Sequence, residues 1–203
     1  MRDVSAGIPA TDVIESHPWE PFTPEGARIL IMGTFPPGTH RWSMDFYYPN
    51  PINDFWRVMG LIFMGDKDAL WIADEKRFDL EAIKQLMTQK HIALNDTARK
   101  VRRLRGNASD KYLDILEPVP LAQILAECPD CYTVATTGEK AAGVVADITS
   151  TPMPKMGQMV VAPDFHGRRL EIWRMPSTSR AYPMKVERKA DFYARMLASA
   201  GVI

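Results

Sequence analysis

The chain has 203 residues, 46% of them hydrophobic, with 25 basic and 25 acidic side chains and a formal net charge of zero. That length supports one domain with a sizeable core, and the charge balance excludes a global field drawing the protein to nucleic acid, leaving only local patches. No apolar run approaches the roughly 18 residues of a membrane span, no apolar h-region marks a signal peptide, and Cys128 and Cys131 form a lone CxxC without nearby ligands, read as ordinary thiols in a reducing cytoplasm.

Residues 1–27 are Pro-rich and irregular and read as an N-terminal arm on the surface, with one domain over 28–203. Arg28 to Met32 is short, apolar and stopped by Gly33, which predicts a buried strand. From Asn53 to Phe63 the residues Phe55, Met59, Ile62 and Phe63 recur at helical spacing behind Pro51. Asp79 is a good N-cap for a second helix with Leu80, Ile83, Leu86 and Met87 on one face. "HIALN", His91 to Asn95, predicts a second strand, and the Arg-rich "DTARKVRRLRGNASDKYL" that follows is polar and carries no element signal.

Pro120 to Glu127 reads as a short helix, "YTVATTG" as a third strand closed by Gly138, and "EKAAGVVADI" as a helix. "QMVVAP" and "RRLEIWRMP" flank "DFHG" as a hairpin. The last helix runs from Lys185 to Ala200 with Val186, Ala190, Tyr193 and Leu197 inward. Strands alternating with helices imply an α/β fold whose parallel sheet is covered on both faces. Ligands then bind beyond the carboxyl ends of the strands. Those ends are Gly33 onward, Asn95 onward, Thr136 to Gly138, and Pro176 onward.

"GTFPPG", from Gly33, matches neither GxGxxG nor a Walker A loop, so no nucleotide cofactor is expected. Its prolines stiffen the turn and its glycines admit a ligand to the backbone, unless it is a plain strand-to-loop turn. In "PSTSRAYP" the small hydroxyl residues Ser177, Thr178 and Ser179, with Arg180, suit phosphate oxygens or cap the last helix as an ST-rich turn. Arg99, Lys100, Arg102, Arg103 and Arg105 form a basic run that can grip phosphates or lie as a solvated face. Arg180, Lys185, Arg188 and Lys189 offer a second part of such a face, and Arg180 or Tyr182 a wedge into a base stack. A small-molecule hydrolase is disfavoured, since no Gly-x-Ser-x-Gly elbow is present.

Five fragments in order, "GTFPPG", "YYPNPINDFW", "IALNDTARKVRRLRGNASD", "TTGEKAA" and "MPSTSRAY", resemble the uracil-DNA glycosylase superfamily, and within it most the hypoxanthine-DNA glycosylase branch and its bacterial relatives. The resemblance covers about residues 28 to 200. It implies a three-layer α/β/α sandwich with a central, mainly parallel four-stranded sheet. It also implies a monofunctional DNA glycosylase that hydrolyses the N-glycosidic bond of a deaminated base, hypoxanthine or uracil, in base excision repair, without metal or cofactor; a monomer is expected, though nothing in the residues reads the oligomeric state. Damaged DNA is the implied partner and the cytoplasm the implied place. Such an enzyme flips its base into a pocket, stacks it on aromatic rings, meets negative charge on the leaving base with donors and positions a water.

Asn53 matches the second asparagine of the branch's "YYxNPxNxFW" pattern and is the implied catalytic residue, or else the N-cap of the helix it precedes. The implied base pocket comprises Gly33, Thr34, Phe35 and Pro36, the rings of Tyr47, Tyr48 and Phe55, and Asn95 as a base-reading amide or a strand-end residue bonding backbone. Ser177, Thr178, Ser179, Arg180, Arg102 and Arg103 are the implied DNA contacts. Asp96 and Asp45 are nearby carboxylates, able to activate water or to cap. The best-studied uracil branches place Asp or Asn where Thr34 and Phe35 stand, and often His where Met175 stands. These departures put uracil removal by the familiar route in doubt. They leave, as the alternative, a DNA- or nucleotide-binding relative impaired in catalysis.

Overall fold

The computed structural model describes residues 13–104 and 112–203. In chain order its elements are β1 (Ile14–Ser16), β2 (Ile29–Gly33), α1 (Phe55–Met64), β3 (Trp71–Ile72), β4 (Arg77–Phe78), α2 (Leu80–Gln89), β5 (Ile92–Asp96), β6 (Ala98–Arg103), β7 (Leu113–Pro118), α3 (Leu121–Ala126), β8 (Thr133–Thr136), α4 (Glu139–Thr149), β9 (Gln158–Phe165), β10 (Arg168–Arg174) and α5 (Val186–Ser199).

Every residue of β2 is buried, which suits the middle of a parallel sheet covered on both faces. β2 pairs in parallel with β5 on one side and β8 on the other. β10 lies parallel to β8, and β9 closes the edge antiparallel to β10. The order is therefore β5-β2-β8-β10-β9. The sheet is mixed and five-stranded rather than four-stranded, because the outer arm of the expected hairpin joins it.

Alternation along β2 sends Ile29 and Ile31 into a core with Phe55, Met59, Ile83, Met87, Tyr193 and Leu197 of α1, α2 and α5. Leu30 and Met32 enter a second core with Leu121, Ile124, Leu125 and Val145 of α3 and α4. Helices thus cover both faces. Asp79 caps α2 as its sequence predicts, accepting from the Ala82 N–H at 3.1 Å.

Two segments differ from expectation. Residues 13–27 are laced onto the body, for β1 pairs antiparallel with β6 and Phe22 bridges Leu94. The polar stretch after β5 supplies β6 and β7, which with β1 make a separate three-stranded sheet. Its small apolar side, Ala98, Val101 and Leu113, packs with Phe35. Residues 1–12 of the expected arm, and Arg105 with "GNASDK", lie outside the described residues.

Candidate active site

The parallel strands of the main sheet end together, and beyond their carboxyl ends opens a cleft of about 660 Å³. Five pieces of chain meet there: the loop leaving β2, the loop entering α1, Asp96 at the end of β5, Thr137 just past β8, and the loop leaving β10.

Gly33 shapes the floor. A Cβ at this position would lie 2.5 Å from Asp96 Oδ1 and 3.4 Å from the Tyr48 hydroxyl, so only glycine leaves both groups their places. The register sets Gly33 directly beside Asp96. Asp96 is 6% exposed and lines the cleft, and its Oδ2 accepts from His17 Nε2 at 2.9 Å. His17 lies just past β1. Burial alone would depress its imidazole, but the bond to Asp96 and that carboxylate's charge, with the Trp19 carbonyl and the Glu20 charge, outweigh burial and raise it above its ordinary 6.5.

One wall carries Tyr48 and Asn53. Tyr48 holds a left-handed backbone, φ +52°, unusual for a ring-bearing residue. Its ring stacks on Phe55 at 3.8 Å and 17°, and its hydroxyl shares a 3.2 Å hydrogen bond with Thr137 Oγ1. Burial first, and then the Asp96 charge, push its phenol well above 10, so it stays protonated. Asn53 precedes α1, and its Oδ1 accepts from the Phe55 N–H at 2.8 Å. What its amide can offer the cleft is the Nδ2 donor.

The loop after β10 is bolted to that wall. The Asp54 N–H donates to the Thr178 carbonyl at 2.8 Å, and Asn53 bridges Ser179. Lys189, fully buried on α5, donates to Asp54 Oδ2 at 2.8 Å and to the Ser179 carbonyl at 2.9 Å. Arg180 adds a long 3.5 Å contact to Asp54 Oδ1. The hydroxyls of Ser177 and Ser179 accept from the Ser179 and Ala181 N–H groups as ST-turns.

Of the expected site residues, Gly33, Thr34, Phe35, Pro36, Tyr48, Asn53, Ser177, Thr178, Ser179 and Arg180 line this one cleft. Tyr47 and Phe55 do not, being wholly buried behind it. Asn95 is also buried, where its Oδ1 accepts from the Tyr47 hydroxyl at 2.9 Å. The described part of the basic run pairs largely with acids of its own small sheet. Arg103 clasps Glu15 at 2.6 Å and the Pro36 carbonyl at 2.7 Å, Lys100 meets Glu117 at 2.7 Å, and Arg102 lies 4.0 Å from Asp114. Lys189, grouped with surface cations by sequence, serves the interior. Met175 is in the core, and Asp45 is exposed, accepting from Trp19 Nε1.

Sequence reasoning missed His17, the inward use of Lys189, and Arg41, an exposed cation on the cleft rim. Cys128 and Cys131 are free and buried, and burial pushes the Cys131 thiol up to about 12, which leaves it inert. Among the described residues no group of three His, Cys, Asp or Glu side chains could hold a metal ion, and no helix is long and apolar enough to cross a membrane.

No protein-family model and no curated protein matches the chain. Among solved structures it is similar to the solution NMR structure of a "putative Uracil DNA glycosylase" from Methanosarcina acetivorans, with 20% identity, a TM-score of 0.61, and 92% of this chain covered against 98% of that one. At that identity the likeness speaks for the fold: the mixed α/β architecture, carried over nearly the full length of both chains, is one this protein shares with that structure.

Proposed function

We propose that this protein is a monofunctional DNA glycosylase that hydrolyses the N-glycosidic bond of a deaminated base, hypoxanthine or uracil, flipped from DNA. The observation that carries the reading is the convergence of both motif loops, Asn53 and the Tyr48 ring on one cleft at the strand ends. Its likeness in fold to the "putative Uracil DNA glycosylase" of Methanosarcina acetivorans supports it.

A flat base entering the cleft meets the half-buried rings of Phe35 and Tyr48, the latter backed by Phe55. As the bond breaks, negative charge gathers on the leaving base. Asn53, its Oδ1 already engaged, turns Nδ2 toward that charge. The Ser177–Arg180 loop receives the neighbouring phosphates through hydroxyls, amides and one guanidinium.

The test is an excision assay with the purified chain on single- and double-stranded oligonucleotides bearing hypoxanthine or uracil, read as alkali-labile abasic sites. Abasic product is expected. Its absence on every deaminated base overturns the reading. Salt-dependent DNA binding without base release would then favour a catalytically impaired binding relative, the reading to which Thr34, Phe35 and the buried Met175 lend support.

A further inference from the structure

Hydrolysis needs a group that takes a proton from water, and the loop after β2 offers none, since Thr34 and Phe35 carry no base at neutral pH. Among the described residues the cleft has one carboxylate on its lining, Asp96. The other acids nearby are committed elsewhere: Asp54 to Lys189 and Arg180, and Asp45 to the Trp19 indole at the surface.

Asp96 is held by one oxygen. Oδ2 accepts from His17 Nε2, while Oδ1 lies over the bare Cα of Gly33, where a methyl group would come within 2.5 Å of it. The imidazole is fixed for this purpose. Its Nδ1 stands 2.9 Å from the Trp19 carbonyl and 3.3 Å from the Trp19 N–H, an acceptor and a donor. Charged, the ring donates Nδ1–H to the carbonyl; neutral, it accepts from the N–H. In either state Nε2 keeps its proton toward Asp96. Phe35 meets the ring edge-on at 5.5 Å and Tyr47 stacks on it at 5.8 Å, so it cannot swing away. The ionisable groups facing the pair are the Glu20 carboxylate and the phenols of Tyr47 and Tyr48.

We infer that Asp96, oriented by His17, is the carboxylate that accepts a proton from the attacking water; this rests on the glycosylase reading above. The water oxygen bonds to C1′ of the sugar, the C1′–N bond breaks with its electron pair leaving on the base, and one water proton passes to Asp96 Oδ1. The base anion takes a proton from solvent, and Asp96 returns its own to solvent. Before the transfer its negative charge faces the oxocarbenium character of the sugar. Asp96 is the catalytic residue, and His17, which touches no reacting atom, is its positioning residue.

The experiment is single-turnover base release with enzyme in excess, run beside DNA dissociation constants and thermal melts on the full chain. Asp96→Asn keeps an acceptor for His17 but cannot take the proton, and is expected to slow release about 10²–10⁴-fold with DNA affinity unchanged. His17→Gln, whose amide can still donate to Asp96, is expected to retain more rate than His17→Leu at equal DNA affinity, a rescue that a purely structural histidine would not show. Should Asp96→Asn melt below the assay temperature, Gly33→Ala is read instead, since it keeps both partners and crowds Oδ1; it is expected to lose release. Wild-type rates in Asp96→Asn or, in its place, Gly33→Ala overturn the inference alone. A wild-type protein that frees neither hypoxanthine nor uracil overturns the glycosylase reading itself.

Discussion

His17 couples stability to pH. Its folded-state pKa is raised above the ordinary 6.5, through the bond to and charge of Asp96 working against burial. A raised basic group adds stability that is fully present below the unfolded value and is lost as pH climbs through the folded one. Thermal melts of wild type and Asp96→Asn are therefore expected to differ most below the unfolded value of 6.5 and to converge as pH climbs through the raised folded one; a gap that widens with pH would refute the linkage. Asn53 separates stability from catalysis in the same way. Asn53→Ala removes both the bond to the Phe55 N–H and the Nδ2 donor. It should cost about 1 kcal/mol in urea denaturation and about 10²-fold in base release. Asn53→Asp keeps the acceptor and loses the donor, so it should recover the stability and not the rate. Asn53 and Gly33 were legible in the sequence because each belongs to a local motif. His17 was not, because 79 residues separate it from Asp96 and its Pro-rich surroundings have no period. Asn95 and Asp96 were both visible, but successive strand side chains point to opposite faces. Only folding tells which of the two meets the cleft, and here it is Asp96.

At the scale of elements, the cleft keeps its shape because α1, α5 and the loop after β10 share one buried ion pair. Lys189 is wholly buried and Asp54 nearly so, at side-chain exposures of 0% and 9%. Removing one partner of such a pair strands the other charge, which typically costs about 3–5 kcal/mol. Lys189→Met should approach that cost, while Lys189→Met with Asp54→Asn should regain more than half of it, as read in urea denaturation of the two variants. Additive losses would show that the two side chains act separately. This lock was hidden in the sequence, where Lys189 sits among Arg188, Lys185 and Glu187 as if on a solvated face. The missed strands have a related cause. β6 has only Ala98 and Val101 buried among four charged residues, too few for a period of two to show. Its charges are matched by residues of β7 and β1, such as Glu117, Asp114 and Glu15, that no local window contains. The strands β2, β5 and β8 were legible because each is a short apolar run closed by a turn, but their order in the sheet was not. Its fifth strand went uncounted because a hairpin in sequence does not say that both arms join one sheet.

Across the whole molecule, neutrality dictates how DNA would be held. With 25 basic and 25 acidic side chains there is no general attraction to a polyanion, so affinity must come from cations left over at the site. The described part of the basic run contributes little, since Arg99 and Lys100 share Glu117, and Arg103 is spent on Glu15 and the Pro36 carbonyl. Among the described residues two cations line the cleft itself, Arg41 and Arg180. Arg41 has no ion pair among the described residues, and Arg180 shares an Asp54 that Lys189 already balances. Two phosphates neutralised in this way give a slope of log K against log salt of about −2. Arg41→Ala and Arg180→Ala should each lower the slope by about 1, uniformly over DNA sequences. Arg99→Ala with Lys100→Ala should leave it unchanged. Fluorescence titrations of a labelled duplex at several salt concentrations measure all three. A steep slope that falls only with the Arg99 and Lys100 changes would move the DNA track from the mouth of the cleft to the small sheet, and would leave Asp96 facing away from the strand it is meant to serve.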